Sequence, residues 1–273
     1  MSESLWGGAE LDLDAYLGRI GYDGSLRPTL DTLRALHRGH LDAIPFENLE
    51  IVLGRPVPLD VASTQAKLVG QPRGGYCFEH NLLFAAVLDR LGYSFTGLAS
   101  RVRMGVRQLR PTTHMLLRVD IAGEDWLADV GFGGDGPLEP IPLRTGAELR
   151  HGGWTFELVE EGPGVFLLRT RHQDGWFDLH AFTLEPRYPV DYGLFNYYTS
   201  THPRSPFTPR IIVQRNGPDI RRTLVGQELR TERPDGSVQR RDVPADELPD
   251  VLAKVFGIEL AAQDAESIRE RHR

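Results

Sequence analysis

Apolar positions recur at helical spacing through the first third of the chain. Leu13, Tyr16, Leu17 and Ile20 share one face, with Asp12 placed as an N-cap. Leu30, Leu33 and Leu36 predict a second helix after Pro28-Thr29, ending near Gly39, and a weaker one spans Asp60 to Val69 before Gly70-Gln71-Pro72. The strongest runs from Phe78 to Leu91, rich in Leu and Ala and closed by Gly92 at C′. From Tyr93 the period changes. Ser94 to Val102, His114 to Ile121, Trp126 to Val130, Thr155 to Val159 and Val165 to Arg169 read as strands between Gly, Pro and Asp turns. Successive strands without intervening helices predict a small antiparallel barrel.

The aromatic stretch Tyr188 to Tyr198 predicts a connecting helix. Four short strands follow, over Ile211 to Arg215, Thr223 to Val225, Gln227 to Thr231 and Ser237 to Asp242, with a hairpin at Pro234-Asp235-Gly236. A helix over Glu247 to Phe256 stops at Gly257, and the charged tail Gln263 to Arg273 reads as frayed. No repeat or low-complexity tract interrupts this order. The fold class is α+β: an N-terminal helical bundle (residues 1–92), a central antiparallel β-barrel (93–187), an interdomain helix and connector (188–204) and a C-terminal α/β lid (205–273).

Composition narrows the function classes. Of 273 residues, 40% are hydrophobic and 25% charged, enough for a packed core, and the net charge of −7 gives no long-range field to hold nucleic acid or an anionic membrane. The N-terminus lacks the basic and apolar regions of a secretory signal, and the longest apolar run, Leu82 to Leu88, is too short to span a bilayer. A single cysteine excludes an intrachain disulfide and a multi-thiolate zinc site, and it fits the reducing cytoplasm.

That cysteine opens the strongest helix, in Arg73-Gly74-Gly75-Tyr76-Cys77-Phe78-Glu79. A thiol in a first helical turn feels free backbone N–H groups and the positive end of the dipole, which favours thiolate. An inert core thiol would have the same neighbours, Tyr76 and Phe78, so a base and an orienting group must be found. Among nine histidines, His80 lies on the same helix face as Cys77, where the two side chains run parallel and cannot pinch a substrate. His114 opens a strand, and Asp129 sits in the apolar run Trp126-Leu127-Ala128-Asp129-Val130, where a carboxylate is expensive without a partner. An imidazolium suits it, although a satisfied structural histidine at 114 remains the alternative. A tight hairpin turning at Gly123-Glu124 would put Asp129 opposite Arg118, about 13 Å along the strand from His114, so a bulge, coiling or a third strand has to close the distance. Next, Gly131-Phe132-Gly133-Gly134-Asp135-Gly136 matches G-x-G-x-x-G, but Pro137, Pro140 and Pro142 forbid the helix that a dinucleotide fingerprint requires. The segment reads as a flexible loop whose backbone can approach a ligand, or as a plain strand-end turn.

Taken together, Ile44-Pro45-Phe46-Glu47-Asn48-Leu49, Arg73 to Asn81, His114, Asp129-Val130-Gly131-Phe132-Gly133 and Ser200 to Phe207 resemble the arylamine N-acetyltransferases in order and spacing. The resemblance runs from about Leu13 to Phe256. It implies a cysteine-protease-like triad core: Cys77 as nucleophile, His114 as general base and acid, Asp129 as orienter. The implied reaction is ping-pong, from acetyl-CoA through an acetyl-Cys77 thioester to an aromatic amine or hydrazine, with no metal and no prosthetic group. Phe46, Val102, Phe132 and Phe207 would shape the acceptor pocket, and Thr113, Gly131, Phe132, Gly133 and Phe207 would lie along CoA. Arg73 and Glu79 read as a pair bracing the glycine loop, and Tyr192, Phe195, Tyr197 and Tyr198 as interdomain core. The arginines at 101, 103, 107 and 110 read as a solvated loop or as CoA-phosphate contacts. The chain would be a monomer or homodimer. An amide synthase acting on a carrier-bound thioester, a transglutaminase-like thiol enzyme, and a metal-binding protein using Cys77, His80, His114 and Asp129 are the competing readings.

Overall fold

The computed structural model describes residues 5–106 and 108–272. Its N-terminal part holds α1 (Leu13–Ile20), α2 (Leu30–Ala43), a two-residue strand β1 (Phe46–Glu47), α3 (Leu49–Val52), α4 (Val61–Leu68) and α5 (Cys77–Arg90). The predicted Asp12 cap forms, and Thr29 and Asp60 cap the next helices in the same way. Asp12 accepts from the Ala15 N–H at 3.0 Å, Thr29 from Thr32 at 3.3 Å and Asp60 from Ser63 at 2.8 Å, each satisfying an orphan donor of a first turn. Helix α2 runs past Gly39 to Ala43, because Leu36 and His40 keep its inner face buried. Every residue of α5 from Cys77 to Leu88 is buried, so this helix is the axis against which the others pack.

The second part is an eight-stranded antiparallel sheet. Its strands are β2 (Ser94–Val102), β3 (His114–Ile121), β4 (Glu124–Ala128), β5 (Ile141–Pro142), β6 (Glu148–His151), β7 (Trp154–Gly162), β8 (Val165–His172) and β9 (Gly175–Phe182), in the order β5-β4-β3-β2-β9-β8-β7-β6. Sequence periodicity missed β9, and a bulge explains why. Leu168 pairs with His180 and Arg169 with Asp178, which leaves Leu179 without a partner on β8. The extra residue breaks alternation, and Leu179, His180, Ala181 and Phe182 are all buried.

Helix α6 (Pro189–Thr201) leads to β10 (Ile212–Asn216), β11 (Arg221–Val225), β12 (Glu228–Glu232) and β13 (Val238–Asp242), then α7 (Leu248–Val251), a π-helical turn (Leu252–Phe256) and α8 (Ala262–His272). On α6, Tyr192 is fully buried as expected, whereas Tyr197 is exposed to solvent, on the outer side of the helix. The tail is ordered as α8 rather than frayed. Ile268 is buried in the C-terminal core, His272 Nε2 lies 3.1 Å from the Val243 carbonyl, and Asp264 pairs with Arg55; Arg273 lies outside the described residues.

The C-terminal sheet does not stand alone. Its order is β1-β10-β11-β12-β13, so its first strand comes from residues 46–47, with Phe46 opposite Gln214 and Glu47 opposite Val213. Leu49 and Val52 of α3 also join Val213, Leu224 and Phe256 in its core.

Buried ion pairs fix the segment that enters α5. Arg73 donates to Glu47 and to Glu50, each at 2.9 Å, while Lys67 donates to Glu79 at 2.8 Å, and the other Glu79 oxygen accepts the Tyr76 N–H at 3.1 Å. The expected Arg73–Glu79 pair is therefore replaced by two adjacent pairs. Gly74 is required by close approach, since a Cβ there would overlap the Pro45 carbonyl oxygen. Arg73→Leu removes the nearest cation from the buried Glu47 carboxylate and leaves it the Lys67 ammonium at 3.9 Å and the Leu49 N–H, so it is expected to lower unfolding free energy, by up to about 3–5 kcal/mol, in urea titrations.

Candidate active site

Cys77 begins α5 and its thiol faces the start of β3. Sγ lies 3.7 Å from the Thr113 carbonyl, and the backbone N–H groups of Phe78 and Met115 also reach it. The sulfur thus contacts both residues that flank His114. His114 Nε2 is 2.6 Å from Asp129 Oδ2, which leaves Nδ1 as the ring's open nitrogen. Only 3% of Cys77, 2% of His114 and 4% of Asp129 is exposed, so these groups interact in a medium with little water.

The hairpin between β3 and β4 turns one residue earlier than the sequence predicts. Ala122 and Gly123, both at positive φ, form the loop, and Ile121 pairs with Glu124. Leu117 then faces Ala128, so Asp129 starts beside Leu116, on His114's face of the sheet. Asp129 is also the first residue to leave β4, and this departure from the ladder carries its carboxylate to His114.

Several residues that hold Asp129 were not read from the sequence. Oδ1 accepts from Asn81 Nδ2 and from the Gly131 N–H, each at 3.0 Å, and the Asp129 N–H donates to His37 Nε2 at 3.2 Å. Asn81 also donates to the Met115 carbonyl at 2.7 Å and accepts the Val130 N–H at 3.1 Å, so one amide ties α5 to β3 and to the loop after β4. Its signal was its place four residues after Cys77, one helical turn further on. A Cβ at Gly131 would sit 2.8 Å from the Cys77 Cα, which makes glycine the residue that lets the loop lie against Cys77.

Electrostatics divides the roles. Burial alone would raise the Asp129 pKa, but His114 first, then His180 and Asn81, outweigh it and hold the carboxylate at about 2. Burial, and then the Asp129 charge, push the Cys77 thiol above its ordinary value, against the pull of the Phe78 and Met115 N–H groups. The helix start therefore does not acidify the thiol by itself. The neighbouring imidazole has to take the proton for thiolate to form.

The remaining predicted residues fall into two groups. Phe132 sets its ring edge-on to His114, with centroids 5.1 Å apart, and Phe207 packs against Phe46 at 6.0 Å and Tyr76 at 5.8 Å. Val102 lies at the end of β2, opposite His180. Thr113 touches the thiol through its carbonyl. A Cβ at Gly133 would run into Gln214 and Phe46, and the Gly133 carbonyl accepts from Asn216 Nδ2 at 2.6 Å. Gly134 donates to Gln214 at 2.9 Å, and Asp135 pairs with Arg221 at 2.9 Å. The loop expected to be flexible is therefore pinned by side chains of β10 and β11. A cavity of about 360 Å³ bounded by Val52, Arg210, Gln227 and Arg271 includes none of these residues.

His80 takes no part in a Cys77 cluster. Its Nδ1 faces His40 Nε2 at 2.8 Å, and its Nε2 donates to the Gly75 and Pro45 carbonyls at 3.0 and 3.2 Å. In the 101–110 segment, Arg101 donates to the Arg110 carbonyl at 2.7 Å and Arg103 pairs with Glu161 at 2.7 Å; Arg107 lies outside the described residues. No helix among the described residues is long and apolar enough to cross a membrane.

Known proteins share this architecture. The N-acetyltransferase family profile matches residues 29–265. The arylamine N-acetyltransferase of Mycobacterium tuberculosis is 40% identical, covering 92% of this chain and 90% of its own length. The structure of the Mycobacterium abscessus enzyme is 44% identical with a TM-score of 0.95, covering 100% of this chain and 98% of that one. That of Mycobacterium marinum in complex with CoA is 35% identical with a TM-score of 0.89, covering 96% and 98%. These matches place the protein among the acyltransferases. It belongs to the arylamine N-acetyltransferase family.

The buried histidines predict how stability responds to acid. Burial, above all, lowers His37, His80 and His151 to about 4, against an unfolded value near 6.5. The unfolded chain binds protons first, so the stability is complete above about pH 6.5 and is lost as pH falls through 4, by up to about 1.4 kcal/mol per group per pH unit. Urea midpoints are expected to fall steadily between pH 7 and pH 4.5. A flat profile would show that these rings are not held neutral.

Proposed function

We propose that the protein moves an acetyl group from acetyl-CoA to the nitrogen of an arylamine or arylhydrazine, by a ping-pong route through an acetyl-Cys77 thioester. The carrying observation is the thiol held against both neighbours of His114, with His114 bonded to a buried carboxylate at 2.6 Å. The names of the similar enzymes support the acceptor class, and the CoA complex of the M. marinum enzyme supports the donor.

In the first half-reaction Cys77 passes its proton to His114 Nδ1, and the sulfur attacks the thioester carbonyl of acetyl-CoA. The tetrahedral intermediate collapses by expelling the CoA sulfur, which takes the proton back from His114. In the second, the amine nitrogen attacks acetyl-Cys77 and gives a proton to His114, which returns it to the departing Cys77 sulfur. Asp129 stays ionised throughout and stabilises the imidazolium that forms twice per cycle. No redox change occurs, and the steps use only groups of the chain and the two substrates.

Residues 1–92 would bring the nucleophile and residues 93–187, read as the barrel, the base and orienter. Residues 188–204 would link them to the covering segment 205–273. Phe46, Val102, Phe132 and Phe207 would line the acceptor side, consistent with the grouping of Phe46, Phe207 and Tyr76 next to Cys77. Thr113, Gly131, Phe132, Gly133 and Phe207 would border the CoA arm. Gly131 contributes close approach there rather than a hydrogen bond, since its N–H already serves Asp129. The single thiol suits a reducing compartment, the cytoplasm.

Incubation with acetyl-CoA alone is expected to add one acetyl group to the intact protein by mass spectrometry, and none to Cys77→Ala; label on any other residue would refute the scheme. Asp129→Asn is expected to slow acetyl transfer by up to ~10⁴-fold, as in hydrolase triads, whereas a loss under about tenfold would reduce Asp129 to a structural part. In His114→Gln the thiol should titrate above about 8.5 when iodoacetamide alkylation is followed against pH, because burial and Asp129 outweigh the two backbone N–H groups once no imidazole takes the proton.

A further inference from the structure

His180 is fully buried beside the triad, yet neither of its ring nitrogens has a hydrogen-bond partner. Nε2 lies 4.0 Å from Asp129 Oδ2, and the ring sits 5.3 Å from that of His114 and 5.0 Å from that of Phe132. A buried imidazole with two unmade hydrogen bonds is costly relative to an apolar ring of the same shape. The bulge at Leu179 brings the ring here, while Leu179 itself enters the core of the sheet.

The acceptor count at Asp129 shows what the ring faces. Oδ1 already takes two donors, Asn81 and Gly131, whereas Oδ2 takes only His114. An ionised carboxylate oxygen accepts two bonds readily, so Oδ2 has one open position. His180 is the polar group that faces it. Burial first, and then the neighbouring His114, hold His180 neutral. A carboxylate at 4.0 Å favours the tautomer with the proton on Nε2.

We infer that His180 is a positioning residue of the triad, whose neutral Nε2–H is aimed at the open lone pair of Asp129 Oδ2 and moderates how strongly that carboxylate holds the imidazolium form of His114. The ionisable groups around it are His114, Asp129 and, beyond them, Cys77. From β2 the neighbours are Val102 and Ser100, from β8 Leu168 and from the glycine loop Phe132, none of which titrates. The sign follows from the dipole. A second N–H at Oδ2 draws off part of the charge that His114 sees, so it makes the imidazolium form less favourable and leaves His114 readier to release its proton to the leaving sulfur. The inference rests on the acetyl-Cys77 scheme, in which His114 must both take and return a proton.

The test is the pH profile of Cys77 acetylation by acetyl-CoA, followed by mass spectrometry in the wild type, His180→Phe and His180→Gln. His180→Phe keeps the ring volume and removes the donor, and its acid limb, where His114 must be free of its proton to accept the one from Cys77, is expected to move up by about half a pH unit or more. His180→Gln restores an N–H and should bring the limb back toward wild type. An unmoved limb in His180→Phe, a downward shift, or a Gln variant identical to Phe each overturns the inference. A wild type that never becomes acetylated instead refutes the underlying scheme. Nitrogen-15 chemical shifts of the histidine rings in the wild-type protein give a reading independent of any variant. At neutral pH, His180 should be neutral with its proton on Nε2, and an imidazolium or an Nδ1–H tautomer would overturn the assignment.

Discussion

A carboxylate buried to 96% is the constraint around which the site is arranged, because such a charge is tolerated only when donors surround it. Asp129 meets it with His114, Asn81 and the Gly131 N–H. Each partner then becomes a fixed point for something else. His114 is held in one ring orientation. Asn81 draws α5 onto β3, and Gly131 lays its loop against the backbone of Cys77. Cys77, His114 and Asp129 come from three separate stretches of chain, and satisfying one charge aligns all three.

The same arrangement explains why the thiol is not simply acidic. Burial and the nearby negative charge both favour the thiol form, and two backbone N–H groups oppose them. The proton has one productive destination, His114, and Asp129 makes that destination favourable. In the proposed acetyl-Cys77 route, nucleophilicity is then conditional on the imidazole, which suits a sulfur that attacks a thioester and later leaves from one.

Much of this was legible in the sequence, for identifiable reasons. Helix starts at Asp12, Thr29 and Asp60 are encoded by the residue that makes the cap, and α5 by its unbroken apolar run. Cys77, His114 and Asp129 stand in recognisable strings, and the structure gathers all three. What stayed hidden depends on distant partners. β1 has two residues and exists only because β10 pairs with it. β9 hides behind its bulge, and His180 with it. α8 looks like solvated tail until Ile268 and His272 find the C-terminal core. The hairpin register was misjudged because the turn uses Ala122 at positive φ, where sequence alone favours glycine, asparagine or aspartate.

The strand shared between the two ends of the chain has a consequence for synthesis. Phe46 pairs with Gln214, and Asn48 closes on Ile212 and on the Phe207 and Arg210 carbonyls, so contacts near the nucleophile's entrance join residues made early to residues made late. Such closures are slow to form and come after local helices and hairpins. A nascent chain paused after the eight-stranded sheet would already contain cysteine, histidine and aspartate, but Glu47 and Phe46 would still lack their strand partner. The last quarter of translation therefore supplies the strand that closes on Phe46 and Glu47, and a thiol whose surroundings are completed so late is open for longer to oxidants and electrophiles near the ribosome.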